Sequence, residues 1–149
     1  VMRFAKLDER VITPTQANIG DAGYDLYALL EEPLELGPQE SRLIPTGLVF
    51  EVPSTMAGLI LPRSSLSNKR GIIIPNSPGL IDSGYRGEIK VGLRNISDER
   101  YTIENGDRIA QFVLVNFINP FFNLSMNEVD VKNLSTSTRG TGGFGSSGV

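Results

Sequence analysis

The chain has 149 residues, with 14 Lys and Arg against 17 Asp and Glu, and its net charge of −3 argues against a partner that is a long nucleic acid. It has no Cys and no His, which excludes disulfide scaffolds, cysteine nucleophiles, Cys-ligated zinc and Ser-His-Asp hydrolases. No apolar run approaches the roughly 20 residues that span a bilayer, and no apolar segment near the start suggests a secretory signal. We therefore expect no membrane partner and no secretion, and a cytoplasmic protein, or one inside a host cell if its source is viral.

Short strands separated by turn signals are predicted along most of the chain. The strand candidates are residues 2–7, 24–28, 48–52, 58–61, 80–81, 89–93 and 109–115. Prolines recur from Pro33 to Pro78 and leave no room for a long amphipathic helix. One helix of a turn or two is predicted over residues 65–70. These elements predict an all-β sandwich, jelly roll or barrel.

The composition changes near Ser135. Nine of the last 15 residues are Gly or Ser, so this segment has too few apolar groups to offset the entropy lost when it is ordered. We therefore expect a globular domain over residues 1–134 and a flexible tail over residues 135–149.

The segment DAGYDLYA, which begins at Asp21, reads as a glycine turn entering a strand. The next motif, PRSSLSNKRG from Pro62, brings an Arg and two hydroxyls to a helix start. That combination suits an anion site, and it equally suits a serine cap beside solvated basic residues.

Residues 75–88, PNSPGLIDSGYRGE, resemble a hairpin with its turn near Ser83. Asp82 stands at the end of an apolar strand, either as a turn-capping carboxylate or as a base beside a desolvated wall. With no His in the chain, a carboxylate is the expected general base. Tyr85 and Asn76 beside it suit a pocket for a base and a sugar.

Two further motifs follow. NGDRIAQF, from Asn105, is a turn followed by a strand that is apolar on both faces except at Gln111, which needs a structural or ligand partner. The tail carries Arg139 and Phe144 among glycines. One cation, one ring and exposed backbone amides suit a lid over a phosphorylated base.

In this order and spacing, the five motifs resemble the homotrimeric dUTPase family over nearly the whole chain. The resemblance implies an antiparallel jelly roll of the dUTPase β-clip type, with a threefold trimer and active sites shared between subunits. Phe117, Phe121 and Phe122 are expected to pack on a neighbouring chain. The implied activity is hydrolysis of dUTP to dUMP and pyrophosphate with Mg²⁺, which limits uracil in DNA and supplies dUMP for dTTP synthesis.

The resemblance also implies roles for individual residues. Asp82 is the expected water-activating carboxylate, and Tyr85 the ring under the deoxyribose that excludes a 2′-hydroxyl. Asp25 is expected near the metal's water shell, while the substrate phosphates mainly hold the Mg²⁺. The remaining expected substrate contacts are Arg63, Ser64, Ser65, Asn76, Gly79, Ile81, Lys90, Gln111, Arg139, Phe144 and Gly145.

Two other functions stay open on the sequence. One is a dUTP-binding regulator of the same fold, which an intact Asp82 disfavours. The other is the related dCTP deaminase branch, which would need a catalytic Glu in a different setting. Release of pyrophosphate or of ammonia from dUTP and dCTP separates these alternatives.

Overall fold

The computed structural model describes residues 2–116 and 128–138, and its contacts divide the chain into two units with the boundary after residue 119. The helix and strands of the first described range are β1 (Arg3–Lys6), β2 (Tyr24–Tyr27), β3 (Leu34–Leu36), β4 (Ser41–Glu51), β5 (Met56–Leu61), α1 (Ser64–Arg70), β6 (Ile72–Ile73), β7 (Gly79–Ile81), β8 (Glu88–Asn95), β9 (Tyr101–Ile103) and β10 (Arg108–Asn116). Across both described ranges, no helix is long and apolar enough to cross a membrane.

The second described range carries one 3-10 turn, Val131–Asn133, in which the Asp130 carboxylate accepts a hydrogen bond from the Lys132 amide. Several predictions fall outside the described residues and stay predictions. They concern Phe117, Phe121, Phe122, Arg139, Phe144 and Gly145. The expected domain boundary after residue 134 likewise stays a prediction.

The strands form antiparallel sheets, which confirms the predicted antiparallel all-β jelly roll with one short helix. One four-stranded sheet has the order β1-β4-β8-β6, a second has the order β2-β10-β5-β7, and β3 pairs with β9. In β8, Ile89, Val91 and Leu93 are buried while Lys90 between them is exposed. This is the period-two pattern that the sequence shows, because successive side chains of a strand point to opposite faces.

The core contains buried side chains from both four-stranded sheets. Phe50 of β4 and Phe112 of β10 are almost fully buried, and their ring centroids lie 4.6 Å apart at a tilt of 56°. Tilted aromatic pairs at this separation stabilise a core by about 0.5–1.5 kcal/mol beyond the apolar area that they bury. The pair packs β4 against β10, one strand from each four-stranded sheet.

One predicted feature is wrong. The strands on either side of Ser83 do not pair with each other as a β-hairpin, because β7 pairs with β5 in one sheet while β8 pairs with β4 and β6 in the other. The Asp82–Gly87 connection instead passes from one sheet to the other. Strand β7 has an apolar partner strand in one sheet, and β8 has one in the other. Burial against these partners outweighs the short distance in sequence between β7 and β8, so the two strands do not pair with each other.

The first half of β4 was not predicted, because Pro45 interrupts the pattern. The strand passes Pro45 through a register shift, with Gly47 at a φ of +67°. A Cβ at Gly47 would overlap the side chains of Val11 and Leu29, so no larger residue fits there. The amide of Gly47 donates to a Glu88 carboxylate oxygen at 2.9 Å, and this bond ties the bulge to the start of β8.

Candidate functional site

Two groups of predicted site residues line separate cavities of the first unit. One cavity, of about 460 Å³, is lined by residues expected to contact phosphates and metal, and we call it the phosphate cavity. The predicted residues that line it are Asp25, Arg63, Ser64, Ser65 and Gln111. A second cavity, of about 430 Å³, is lined by Ile81, Asp82, Tyr85 and Lys90, and we call it the nucleoside cavity.

Asp25 is held in the phosphate cavity by two guanidinium groups. Its side chain is 13% exposed, and Arg63 Nε lies 3.0 Å from Oδ1 while Arg108 Nη1 lies 3.4 Å from Oδ2. The Asp25 amide also donates to the Thr15 carbonyl at 2.7 Å. Both carboxylate oxygens therefore have a cationic neighbour, and these two contacts fix the orientation of the carboxylate.

Helix α1 begins at Ser64, one residue earlier than predicted. Arg63 is its N-cap residue, and no side chain caps the first turn. Of the two alternatives that the sequence left open here, a serine cap is therefore not the one observed. The first amides of a helix have no partner inside it, so Ser64 and Ser65 bring two hydroxyls and uncapped amides to the wall of the phosphate cavity.

Gln111 joins β10 to the start of this helix. Its Nε2 donates to the Pro62 carbonyl at 2.9 Å, which is the structural partner that a half-buried amide needs. A Cβ at Gly23 would lie 2.5 Å from Gln111 Oε1, so the glycine leaves room for this side chain. Gln111 thus positions the Pro62–Arg63 segment and lines the same cavity.

Asp82 is exposed beside the nucleoside cavity. Its main-chain carbonyl accepts from the Tyr85 amide at 3.1 Å and closes a tight turn. No hydrogen bond or ion pair among the residues that the structure describes engages its carboxylate. The carboxylate does not cap this turn, and its oxygens are free to accept a proton from a ligand or from water.

The Tyr85 ring is fixed as one wall of the nucleoside cavity. Its hydroxyl donates to the Glu88 carbonyl at 3.0 Å. A Cβ at Gly87 would overlap the hydroxyl and the ring, so the ring lies directly on this glycine. Arg86 closes the same turn through hydrogen bonds to the Ser83 and Tyr85 carbonyls, at 2.7 and 2.8 Å. The hydroxyl end of the Tyr85 ring is therefore held by Gly87 and Glu88.

Asn76 lies beside the nucleoside cavity, in a neighbouring cavity of about 440 Å³ that shares Leu43 and Lys90 with it. Its amide nitrogen lies 3.6 Å from the position that a Cβ of Gly79 would occupy. The two cavities therefore adjoin at Leu43 and Lys90, and the Asn76 amide beyond them offers both a donor and an acceptor.

The strand register separates the two groups of residues within one chain. Gln111 faces Leu61 on one side of β5, whereas Ile81, which precedes Asp82, faces Gly58 on the other side. With a rise of about 3.4 Å per residue and about 4.8 Å between strands, Asp82 lies roughly 17 Å from Gln111 along the sheet. Asp25, one strand further out, is roughly 20 Å from Asp82 by the same spacing.

The phosphate cavity does not supply a metal site from protein groups alone. Within residues 2–116 and 128–138, no group of three or more Asp, Glu, His or Cys residues could hold an ion. One carboxylate beside a phosphate-binding surface nevertheless suits Mg²⁺, which keeps several waters and is commonly bound by one or two carboxylates and the substrate's phosphates. Because both Asp25 oxygens already face arginines, a contact through a metal-bound water fits better than direct coordination.

Sequence reasoning missed two residues that shape the site. Arg108 forms the second ion pair with Asp25, and Glu88 anchors both Gly47 and, at 3.6 Å, Lys90. Each stands inside a motif that the sequence singles out. Asp25 and Gly47 are distant along the chain from Arg108 and Glu88, so only the folded structure identifies these two contacts.

Comparison with known proteins gives one consistent result. The family model for dUTPase matches residues 9–148. A deoxyuridine 5'-triphosphate nucleotidohydrolase of Treponema denticola is 47% identical over 146 residues, covering 98% of this chain and 97% of that protein. The corresponding protein of Photorhabdus laumondii is 43% identical, over 96% of this chain and 91% of the relative.

Solved structures agree with this result. The dUTPase of Staphylococcus bacteriophage 80alpha with dUPNHPP superposes with a TM-score of 0.86 at 30% identity, covering 100% of this chain and 99% of the phage chain. A mutant dUTPase of phage phi11, whose structure reveals the coordination of a structural Mg(II) ion, has a TM-score of 0.75 at 26% identity. The superposition covers 87% of this chain and 97% of the phi11 chain.

Proposed function

This chain belongs to the dUTPase family and hydrolyses dUTP to dUMP and pyrophosphate, and we propose that it does so with Asp82 as the base that activates water. The free carboxylate of Asp82 beside the fixed Tyr85 ring is the observation that carries this mechanism. The reaction would limit uracil in DNA and supply dUMP for dTTP synthesis.

In the proposed reaction, an Asp82 oxygen takes a proton from water as the water oxygen attacks the α-phosphorus in line. The bond from that phosphorus to the bridging oxygen breaks, and pyrophosphate leaves with the electron pair. The carboxylate oxygens are available for this role, because no described group forms a hydrogen bond or ion pair with them. The same carboxylate would accept a hydrogen bond from the sugar 3′-hydroxyl.

Uracil recognition is assigned to the Asn76 end of the nucleoside cavity, together with Gly79, Ile81 and Lys90. Uracil presents an acceptor at O4 and a donor at N3, and cytosine inverts both. A site built for uracil would leave buried partners unpaired with cytosine, a mismatch on the order of 10⁴ in rate where the geometry is tight.

The triphosphate is assigned to the phosphate cavity, through Arg63, Ser64, Ser65 and Gln111. Charge-assisted and backbone hydrogen bonds there would neutralise the leaving group. Arg139, Phe144 and Gly145 lie outside the described residues. From the family resemblance, they are assigned to the γ-phosphate and to stacking on the uracil.

Mg²⁺ is the proposed cofactor, and Asp25 would meet it through a bound water. When bound to the substrate phosphates, the ion would neutralise charge that develops on the leaving group. The two arginines hold the Asp25 carboxylate in one orientation, so the chain's own contribution is a fixed hydrogen-bond acceptor at the edge of the phosphate cavity.

The two half-sites are proposed to come from different chains of a homotrimer. A separation of roughly 20 Å, as strand spacing gives it, exceeds the span of a triphosphate, so we assign the Asp82 and the Asp25 that serve one dUTP to different chains. A neighbouring copy can bring its phosphate cavity to the nucleoside cavity of the first. Closed rotational symmetry would then repeat this complete site at each interface.

We expect a particle of about 49 kDa in light scattering, three times the chain mass of 16.2 kDa. An apolar row crosses the outer face of one sheet from Leu80, which is 62% exposed, through Leu59 to Val113, and an assembly would cover it. A monomer at micromolar concentration would contradict both the trimer and the shared site.

The reaction itself is tested by measuring pyrophosphate release from dUTP, UTP, dCTP and dTTP, with and without Mg²⁺. The proposal requires release from dUTP alone at a high rate and loss of that rate on chelation. Ammonia release from dCTP would indicate deaminase chemistry, and tight binding of dUTP without turnover would indicate a regulator.

Replacing Tyr85 by Ala is expected to narrow the preference for dUTP over UTP. The ring that would block a 2′-hydroxyl is then missing, so the discrimination is steric and is lost with the ring. Tyr85→Phe is the matched control, because it keeps the ring and removes only the hydrogen bond to Glu88. An unchanged ratio of kcat/KM for the two nucleotides in the Ala variant would show that another group discriminates against ribose.

A further inference from the structure

A fourth cavity, of about 340 Å³, lies between α1 and the β9–β10 connection, and it shares only Arg63 and Ser65 with the phosphate cavity. Its walls include four cationic side chains, Arg63, Lys69, Arg70 and Arg108, and a single carboxylate, that of Asp107. We call it the cationic cavity.

Its positive charge is only partly balanced. Arg63 and Arg108 share one partner, the Asp25 carboxylate, and the Asp107 carboxylate accepts a turn hydrogen bond from the Glu104 amide at 2.9 Å. Both Lys69 and Arg70 are exposed, and neither forms an ion pair within the parts of the chain that the structure describes. The cavity therefore keeps two uncompensated cations beside two others that are already oriented.

The cationic cavity adjoins the phosphate cavity. Arg63 and Ser65 line both of them, so the two cavities are neighbours on either side of these two side chains. The proposed reaction releases its most highly charged product, pyrophosphate, at the phosphate end of the substrate. A small anion with several negative charges is the ligand that clustered Lys and Arg side chains recognise.

We propose that the cationic cavity is a binding site for inorganic pyrophosphate, distinct from the site that holds the phosphates of dUTP. The proposal rests on the proposed function, since that reaction generates pyrophosphate next to the cavity. Lys69 and Arg70 would hold the product after it leaves the phosphate cavity, and product inhibition would act through this site.

A purely structural role for these two cations makes a different prediction. Lys69 and Arg70 stand in the last turn of α1, where positive charge interacts favourably with the helix C-terminus. If that is their only role, removing them lowers the melting temperature and leaves the effect of pyrophosphate unchanged.

The test is the double variant Lys69→Gln, Arg70→Gln, assayed by dUMP formation in the presence of added inorganic pyrophosphate. We expect the inhibition constant for pyrophosphate to rise about tenfold or more, because two charge-assisted contacts are lost. The kcat/KM for dUTP without pyrophosphate should stay within about twofold, since neither side chain lines the phosphate cavity.

The matched control is Arg3→Gln, Lys6→Gln, which removes the same charge from β1, where neither residue lines the cationic cavity. An equal rise in both variants would show a general charge effect and overturn the proposal. Competitive inhibition that is unchanged in the Lys69 and Arg70 variant would place pyrophosphate in the substrate's phosphate site and overturn it as well.

Calorimetric titration of pyrophosphate in the absence of nucleotide gives a second measurement. The unsubstituted chain should bind pyrophosphate with an affinity that the double variant loses, whatever the catalytic result. If dUTP is not turned over but this binding is present and lost in the variant, the proposed function has failed and the anion site stands. If binding is the same in both proteins, the anion site is refuted.

Discussion

Replacing Asp82 by Asn is expected to lower kcat for dUTP by roughly 10²–10⁴, the range for removal of a positioned general base. This corresponds to about 3–5 kcal/mol of transition-state stabilisation. Asn has nearly the shape of Asp but cannot accept the proton from water. The trimer should form normally, because among the described residues no partner depends on this carboxylate.

The measurement has two parts, the rate of pyrophosphate release and the affinity for a non-hydrolysable dUTP analogue. Affinity should change little while the rate falls, which separates loss of a base from loss of a substrate contact. Asp98→Asn, at an exposed position outside the candidate cavities, is the matched control for the change in charge. Turnover by the Asp82 variant within a few-fold of the unsubstituted chain would show that Asp82 is not the base.

Mixing two inactive variants is expected to restore activity from background to about a quarter of the unsubstituted level, provided that sites are shared between chains of a closed trimer. One variant is Asp82→Asn and the other is Asp25→Asn, co-expressed with different tags in equal amounts. A quarter of the sites then pair a chain with an intact Asp82 with a neighbour with an intact Asp25. If each site lay within one chain, every site of every mixed trimer would lack one carboxylate.

Two controls make the mixing result decisive. Each variant mixed with the unsubstituted chain should give about half of full activity under either arrangement. Should Asp25→Asn fail to fold because two guanidiniums lose their partner, Arg63→Gln disables the same half-site and leaves Asp25 paired with Arg108. Activity that stays at background in correctly assembled mixed trimers would refute the shared site and require both half-sites to meet within one chain.

Local patterns in the sequence predict much of this fold. Strand β8 follows from alternation at Ile89, Val91 and Leu93, and α1 follows from a break at Pro62 and a glycine at position 71, which adopts a φ of +65° after the last turn. These features depend on neighbours within a few residues, so the sequence alone is sufficient to predict them.

Such local patterns do not predict which strands pair when the strands are distant in sequence. The segments on either side of Ser83 resemble a hairpin, yet β7 and β8 enter different sheets, because each finds a longer apolar partner elsewhere. The first half of β4, which contains Pro45, is not predicted for a similar reason. The bulge at Gly47 is stabilised by Glu88, which lies 41 residues further along the chain.

The sequence by itself determined the residue types available for chemistry: with no His and no Cys, a carboxylate is the expected base, and any metal must be bound through oxygen. The order of its five motifs also determined the family and its reaction. Only the tertiary structure shows that Arg108 forms the second ion pair with Asp25, beside that of Arg63. It alone places Asp25 and Asp82 roughly 20 Å apart, as strand spacing gives it. Such distances follow from the register of β2, β10, β5 and β7, which is set by packing between segments far apart in the chain.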